Sequence, residues 1–181
     1  MFRRRLKEII ARRAERGPIL KRLRELVTST EVLDAQQFSV KLREDISKAE
    51  AYVLILSPFL KTKPVKLFLD YEEVKKRVDE VKIVVVTKPA GEVYDKAEHE
   101  KCIETLRKGK IEVFEKEKLH FKAVIIDDKI LYIGSINPLS VMIAEYLPED
   151  YMLRFVSEAL TTEVVEKAIG KENFEKYVAV E

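Results

Sequence analysis

Six short apolar runs leave this chain few ways to fold: Tyr52 to Leu56, Val81 to Val86, Ile111 to Phe114, Phe121 to Ile126, Ile130 to Ile133 and Tyr151 to Val156. Each has the length of a strand and is bounded by polar or turn-forming residues. Helical patterns separate the first three, around Val65 to Val78 and Val93 to Leu106, which is the strand-helix-strand rhythm of a sheet covered by helices on both faces. Asp127-Asp128-Lys129 breaks that rhythm, because it leaves room only for a tight hairpin. The expectation is an α/β protein, an α/β/α sandwich with a mixed sheet, closed by a C-terminal helix over Thr162 to Tyr177.

Ahead of the strands the period is helical. Phe2, Leu6, Ile9 and Ile10 recur before Gly17-Pro18, and Ile19, Leu20, Leu23, Leu26 and Val27 resume the pattern after it. These residues predict two amphipathic helices over 1 to 27, carrying ten Lys/Arg against three Glu. The whole chain has a formal net charge of +2, so that surplus of seven leaves the remainder net negative by five. Attraction for polyanions is therefore concentrated at the N-terminus, and the same basic face also suits an anionic membrane surface or packing on a partner subunit. Thr28-Ser29-Thr30 reads as a polar break. Asp34 with Gln37 three residues on has the form of a helix start, and Phe38, Leu42 and Ile46 supply the inward stripe of the helix that follows. The chain thus divides into a basic helical segment, 1 to 27, and one principal domain, 28 to 181.

Composition removes several classes. At 181 residues and 46% apolar content there is enough for one core and little room for two. Cys102 is the single cysteine, so no internal disulfide can form, and with only His99 and His120 no Cys/His set has zinc-ligand spacing. Neither a metal nor a cofactor is expected. No apolar run is long enough for a membrane span, and the basic start leads into Glu8, Arg12 and Arg13, not into an apolar signal core, so a cytoplasmic protein is expected. A charged fraction of 36% with two Gln and two Asn resembles proteins of heat-loving organisms.

The chemistry gathers around one strand. His120 and Lys122 are two apart, so an imidazole and an ammonium project from one face while Phe121 and Ala123 face the other. Downstream, Gly134, Ser135 and Asn137 end the partner strand of the hairpin and bring a close-approach glycine, a hydroxyl and an amide to the same end. Together these groups can hold a phosphate. The bland alternative is a solvated pair at a strand end. Lys88, after the strand Val81 to Val86, and Ser57, after Tyr52 to Leu56, are further candidates for phosphate contact. His99 reads as a surface residue of a charged helix and Cys102 as a small packed one, and neither is a site candidate.

His120-x-Lys122, four residues, Asp127, six residues, Gly134-Ser135-x-Asn137 resembles, without a gap, the HKD motif of the phospholipase D superfamily. Ile55-Leu56-Ser57-Pro58-Phe59 is similar to the end of that family's first strand. The resemblance implies that His120 is the nucleophile, forming a phosphohistidine, and that Lys122, Ser135 and Asn137 hold the nonbridging oxygens without a metal. A second histidine must protonate the leaving oxygen, and one motif per chain resembles the small nucleases of the family that build one site from two copies, which implies a homodimer. The family's carboxylate that orients the nucleophile falls best on Glu149, with Glu145 in reserve. Asp127 belongs to the catalytic motif, yet by parity it points away from His120 and is expected to anchor the hairpin. Asn137-Pro138 departs from relatives and reads as a helix cap followed by a first helical position.

The function expected from this resemblance is a metal-independent phosphodiesterase, a nuclease acting on DNA or RNA. A nucleic-acid-binding dimer with little turnover, or a phospholipid phosphodiesterase, stands as the alternative. A lipid enzyme would need an apolar entry surface or tether, and the sequence offers neither.

Overall fold

The computed structural model describes residues 30–140 and 149–179. The basic segment over 1 to 27 lies outside them, as does Glu145. One seven-stranded mixed sheet organises the described residues, in the order β1-β7-β6-β5-β2-β3-β4. Its strands are β1 (Thr30–Leu33), β2 (Tyr52–Leu56), β3 (Lys82–Thr87), β4 (Glu112–Glu115), β5 (Ala123–Ile126), β6 (Ile130–Gly134) and β7 (Met152–Val156). β2, β3 and β4 run parallel, joined by helical crossovers, and the remaining pairs are antiparallel.

Alternation along the central strands sorts the interior into two layers. Val53 and Ile55 of β2, Ile83 and Val85 of β3, and Val124 and Ile126 of β5 bury against helices α1 (Ala35–Ser47), α2 (Thr62–Asp70), α3 (Glu72–Arg77) and α4 (Lys96–Lys108). Tyr52, Leu54, Leu56, Val84, Val86, Ala123 and Ile125 face the other way, against Val165, Ile169 and Tyr177 of the C-terminal helical segment. Every residue of β2 is buried, as a strand sandwiched between helical layers must be. Each of those side chains contributes on the order of 2 kcal/mol from burial.

Helix α1 starts as read: the Asp34 carboxylate accepts from Gln37 N–H at 2.8 Å while Gln37 Oε1 accepts from Asp34 N–H at 3.1 Å. Phe38, Leu42 and Ile46 are its buried stripe. Beneath it lies a buried charged cluster. Arg154 of β7 donates from Nε and Nη2 to both oxygens of Asp45, at 2.7 and 3.1 Å, and from Nη1 to Glu31 of β1 at 2.8 Å. The Tyr132 hydroxyl donates to the same Asp45, and burial together with that carboxylate pushes the phenol's pKa upward. Removing one partner would strand a charge in the interior at about 3–5 kcal/mol, so the cluster fixes α1 and β1 to the sheet.

Four expectations change. No strand is expected before Tyr52, yet β1 starts at Thr30, the last residue of the polar break; Thr-Glu-Val-Leu is short and has little periodicity of its own, and its pairing is supplied by β7. The pattern around Val65 to Val78 is two helices, because Tyr71 between them is extended at φ −60° and ψ 127°. The C-terminal helix over Thr162 to Tyr177 is likewise split, into α5 (Glu158–Val164), a π-helical turn over Val165–Ile169, and α6 (Lys171–Val178). Gly170, at φ 86°, makes that break, a conformation few other residues adopt at no cost. Finally, the ladder of β5 begins only at Ala123, three residues after His120.

Candidate active site

Register brings the candidate residues to one end of the sheet. Leu56 pairs with both Val86 and Ala123, Ala123 with Ile133, and Gly134 with Met152. Ser57 and Lys88 therefore leave the carboxyl ends of β2 and β3 at the edge where His120 and Lys122 enter β5. Gly134, Ser135 and Asn137 leave β6 there, and Glu149 precedes β7. This edge, outside the carboxyl ends of parallel strands, is where open α/β sheets bind ligands.

His120 and Lys122 precede the ladder, yet their facing is still set by alternation. Leu119, Phe121, Ala123 and Ile125 all pack into the layer of α5 and α6, which turns His120 and Lys122 to the opposite side. His120 is exposed, and Lys122 is half-buried with Nζ 3.4 Å from the His120 carbonyl oxygen. Ser135, also exposed, is tied to the start of β7: its N–H donates to the Tyr151 carbonyl and its hydroxyl accepts from the Tyr151 N–H, both at 3.0 Å. A side chain at Gly134 would collide with that same carbonyl and lie 2.9 Å from Met152 Cα, so the close approach of β7 requires glycine.

Asn137 is 6% exposed, and its Oδ1 accepts from the Ser57 hydroxyl at 2.7 Å. Ser57 is itself fully buried; its oxygen accepts from Leu139 N–H at 3.1 Å and lies 2.9 Å from the Phe59 carbonyl. Its place is thus behind Asn137. Pro138 to Ser140 form a turn, and the residues after Ser140 on which the expected helix would continue lie outside the described ones. Glu149 is exposed at the mouth of β7.

Asp127 is apart from this cluster. Seven extended residues, roughly 20 Å, separate it from His120, and its carboxylate accepts from the backbone N–H groups of Glu50, Ala51 and Tyr52 at 2.7, 2.8 and 3.0 Å. Asp127 and Asp128, both left-handed at φ 52° and 56°, make the β5–β6 turn, a conformation Asp tolerates better than most residues.

His99 corrects the sequence reading. It is 2% exposed, with Nε2 2.9 Å from the Lys88 carbonyl oxygen and 3.3 Å from Thr87 Oγ1. His99, Cys102, Ile103 and Leu106 occupy the buried face of α4 at helical spacing, and that periodicity was the available signal. One residue earlier, Glu98 latches α4 to the start of α2. The Lys61 ammonium at 2.7 Å, then the Thr62 N–H at 2.9 Å, hold its carboxyl down to about 2. Among the described residues no group of three or more His, Cys, Asp or Glu could hold a metal ion, and no helix is long and apolar enough to cross a membrane.

An imidazole, an ammonium, a hydroxyl and an amide lie at the end of an open mixed sheet covered by helices, and the chain is, as a class, an α/β protein. It belongs to the phospholipase D-like family: a profile described as "Cardiolipin synthase, PLD-like domain" matches residues 42–164. Among solved structures it is similar to NucT from Helicobacter pylori, at TM-score 0.57 and 16% identity over 84% of this chain and 99% of that one. Nuc from Salmonella typhimurium, a phospholipase D family member, also gives TM-score 0.57 and 16% identity, over 81% and 94% of the two chains. TrmBL2, an archaeal chromatin protein described as showing a novel mode of DNA binding, gives 0.52 and 18% over 99% of this chain and 67% of that one. Comparison with curated proteins finds no match.

Proposed function

We propose that the chain is a metal-independent phosphodiesterase of the phospholipase D-like family that cleaves nucleic acid at a site shared by two copies. The observation that carries this reading is the pair His120 and Lys122, turned to one side of the sheet end beside Ser135 and Asn137. A His120 ring nitrogen attacks phosphorus, the phosphorus–oxygen ester bond breaks, and the leaving oxygen takes a proton from the partner's His120. Water then attacks the phosphohistidine, giving its proton back to that second imidazole and freeing His120. Lys122, Ser135 and Asn137 hold the nonbridging oxygens while charge builds on them, with the backbone close approach at Gly134 setting their spacing. Glu149 accepts from the other nitrogen of His120 and fixes its tautomer. Asp127 serves this chemistry only by anchoring the hairpin.

Turnover of a dye phosphodiester in excess EDTA tests the reading. Activity is expected to persist under chelation, to disappear in His120→Ala, and to leave an acid-labile phosphate on His120 when trapped. Loss on chelation with recovery on adding a divalent ion overturns it. The match of TrmBL2 over nearly the whole chain favours one second reading, a DNA-binding module with little turnover. That reading predicts DNA binding with no cleavage of either DNA or the dye ester.

A further inference from the structure

Lys88 is a buried lysine just past the carboxyl end of β3. It is 7% exposed, and among the described residues no carboxylate pairs with it; its ammonium lies 5.0 Å from the centroid of the Phe59 ring. Lys82, at the opposite end of β3 and also largely shielded, pairs with Glu112 at 3.1 Å. Withdrawing an ammonium from water is costly unless something compensates, and one aromatic face offsets only part of that cost. The backbone that carries Lys88 is also held. Its N–H donates to the Pro58 carbonyl at 3.4 Å, and the buried His99 ring nitrogen contacts its own carbonyl at 2.9 Å. Such a charge is preorganised for a ligand that arrives with the opposite sign.

Its surroundings narrow the ligand. β2 lies between β3 and β5, so Lys88 and Lys122 stand two strand spacings apart, roughly 10 Å, which an extended chain of adjoining phosphodiesters can bridge. Phe59, on the same rim, is 39% exposed, and Tyr94 and Tyr151 are the other large exposed apolar side chains around this end. Among the described residues the exposed aliphatic side chains lie elsewhere: Val32 on the outer strand β1, Val40 and Leu67 on α1 and α2, Val156 at the far end of β7. Aromatic rings beside a cation suit bases joined to phosphates, whereas acyl chains would call for an aliphatic surface.

We infer that Lys88 and Phe59 form a second subsite, which takes the nucleotide adjoining the scissile phosphodiester, its phosphate on Lys88 and its base against the exposed part of the Phe59 ring. The inference rests on the nucleic-acid reading of the site, and its test does not need turnover. In the full-length chain carrying His120→Ala, binding of a fluorescent single-stranded oligonucleotide is measured by anisotropy across a salt series. Adding Lys88→Met is expected to weaken binding about five- to tenfold and to reduce the log–log salt slope by about 0.7, the share of one phosphate contact on a single strand. Lys88→Arg, which keeps the charge, restores most of both. Phe59→Leu keeps the slope and abolishes the preference for an intact strand over one bearing abasic sites. Unchanged affinity and slope in Lys88→Met, with the fold intact by circular dichroism, overturns the inference, as does a preference for vesicles of anionic phospholipid that Lys88→Met abolishes. Dye-ester turnover by the otherwise unaltered chain decides the catalytic reading separately.

Discussion

At the scale of single residues, Gly134 is the position with least freedom. The volume of a methyl group there is already taken by the Tyr151 carbonyl and Met152 Cα, both backbone atoms that cannot rotate away. Gly134→Ala must push β6 and β7 apart at the end that carries Ser135. We expect a loss of about 2–3 kcal/mol in urea denaturation and a loss of dye-ester turnover larger than that loss of stability alone accounts for. A variant as stable and active as the parent would show that the strands yield freely. The sequence marked Gly134 as a close-approach residue but not what approaches it, because the partner atom comes from a strand 17 residues downstream. Asp127 shows the converse: strand parity already turned it away from His120, and its three amide contacts at the start of β2 give that orientation a structural use.

Among elements, the latch between α4 and α2 is the contact most open to a pH test. The Glu98 carboxyl is held at about 2 in the folded chain, first by Lys61 and then by the Thr62 amide, against roughly 4.3 when unfolded. A carboxyl whose folded pKa lies below its unfolded one stabilises fully above the unfolded value, and that contribution is lost as pH falls from about 4.3 toward 2. Lys61 is half exposed, so screening limits the effect to about 1 kcal/mol. The stability difference between the parent and Glu98→Gln should be constant from pH 5 to 7 and shrink below about 4.3. A difference that grows on acidification would contradict the latch. Element boundaries were the part of the sequence least open to reading. Tyr71 and Gly170 interrupt periodic stretches that look continuous, since a hydrophobic stripe reports which face is buried and not whether the backbone bends between its turns.

For the molecule as a whole, the question is whether one copy suffices. A single imidazole cannot be nucleophile and proton donor in the same step, and His99, the other histidine, is buried at α4 against Lys88. If the active unit is a dimer sharing one site, mixing equal amounts of parent and His120→Ala chains, with exchange confirmed, should bring activity per parent chain to about half, because only parent homodimers keep both imidazoles. Two coupled titrations and a bell-shaped rate profile should accompany it. Unchanged activity per parent chain, or an active monomer in sedimentation, would place the acid within each chain.

The order of the strands β2 to β7, the hairpin, the capping box and the His120–Asn137 motif are legible in the sequence, because each is carried by a local pattern of residues. Even the facing of His120 and Lys122 followed from a period of two. What only the tertiary structure decided involves partners distant along the chain. β1 exists because β7 pairs with it, Ser57 turns inward because Asn137 lies 80 residues on, and His99 is buried because α4 packs beneath the end of β3. Lys88 is the sharpest case. In the sequence its place after the strand Val81 to Val86 makes it a candidate for phosphate contact, but its isolation from every described carboxylate is a property of three-dimensional packing that no local pattern encodes.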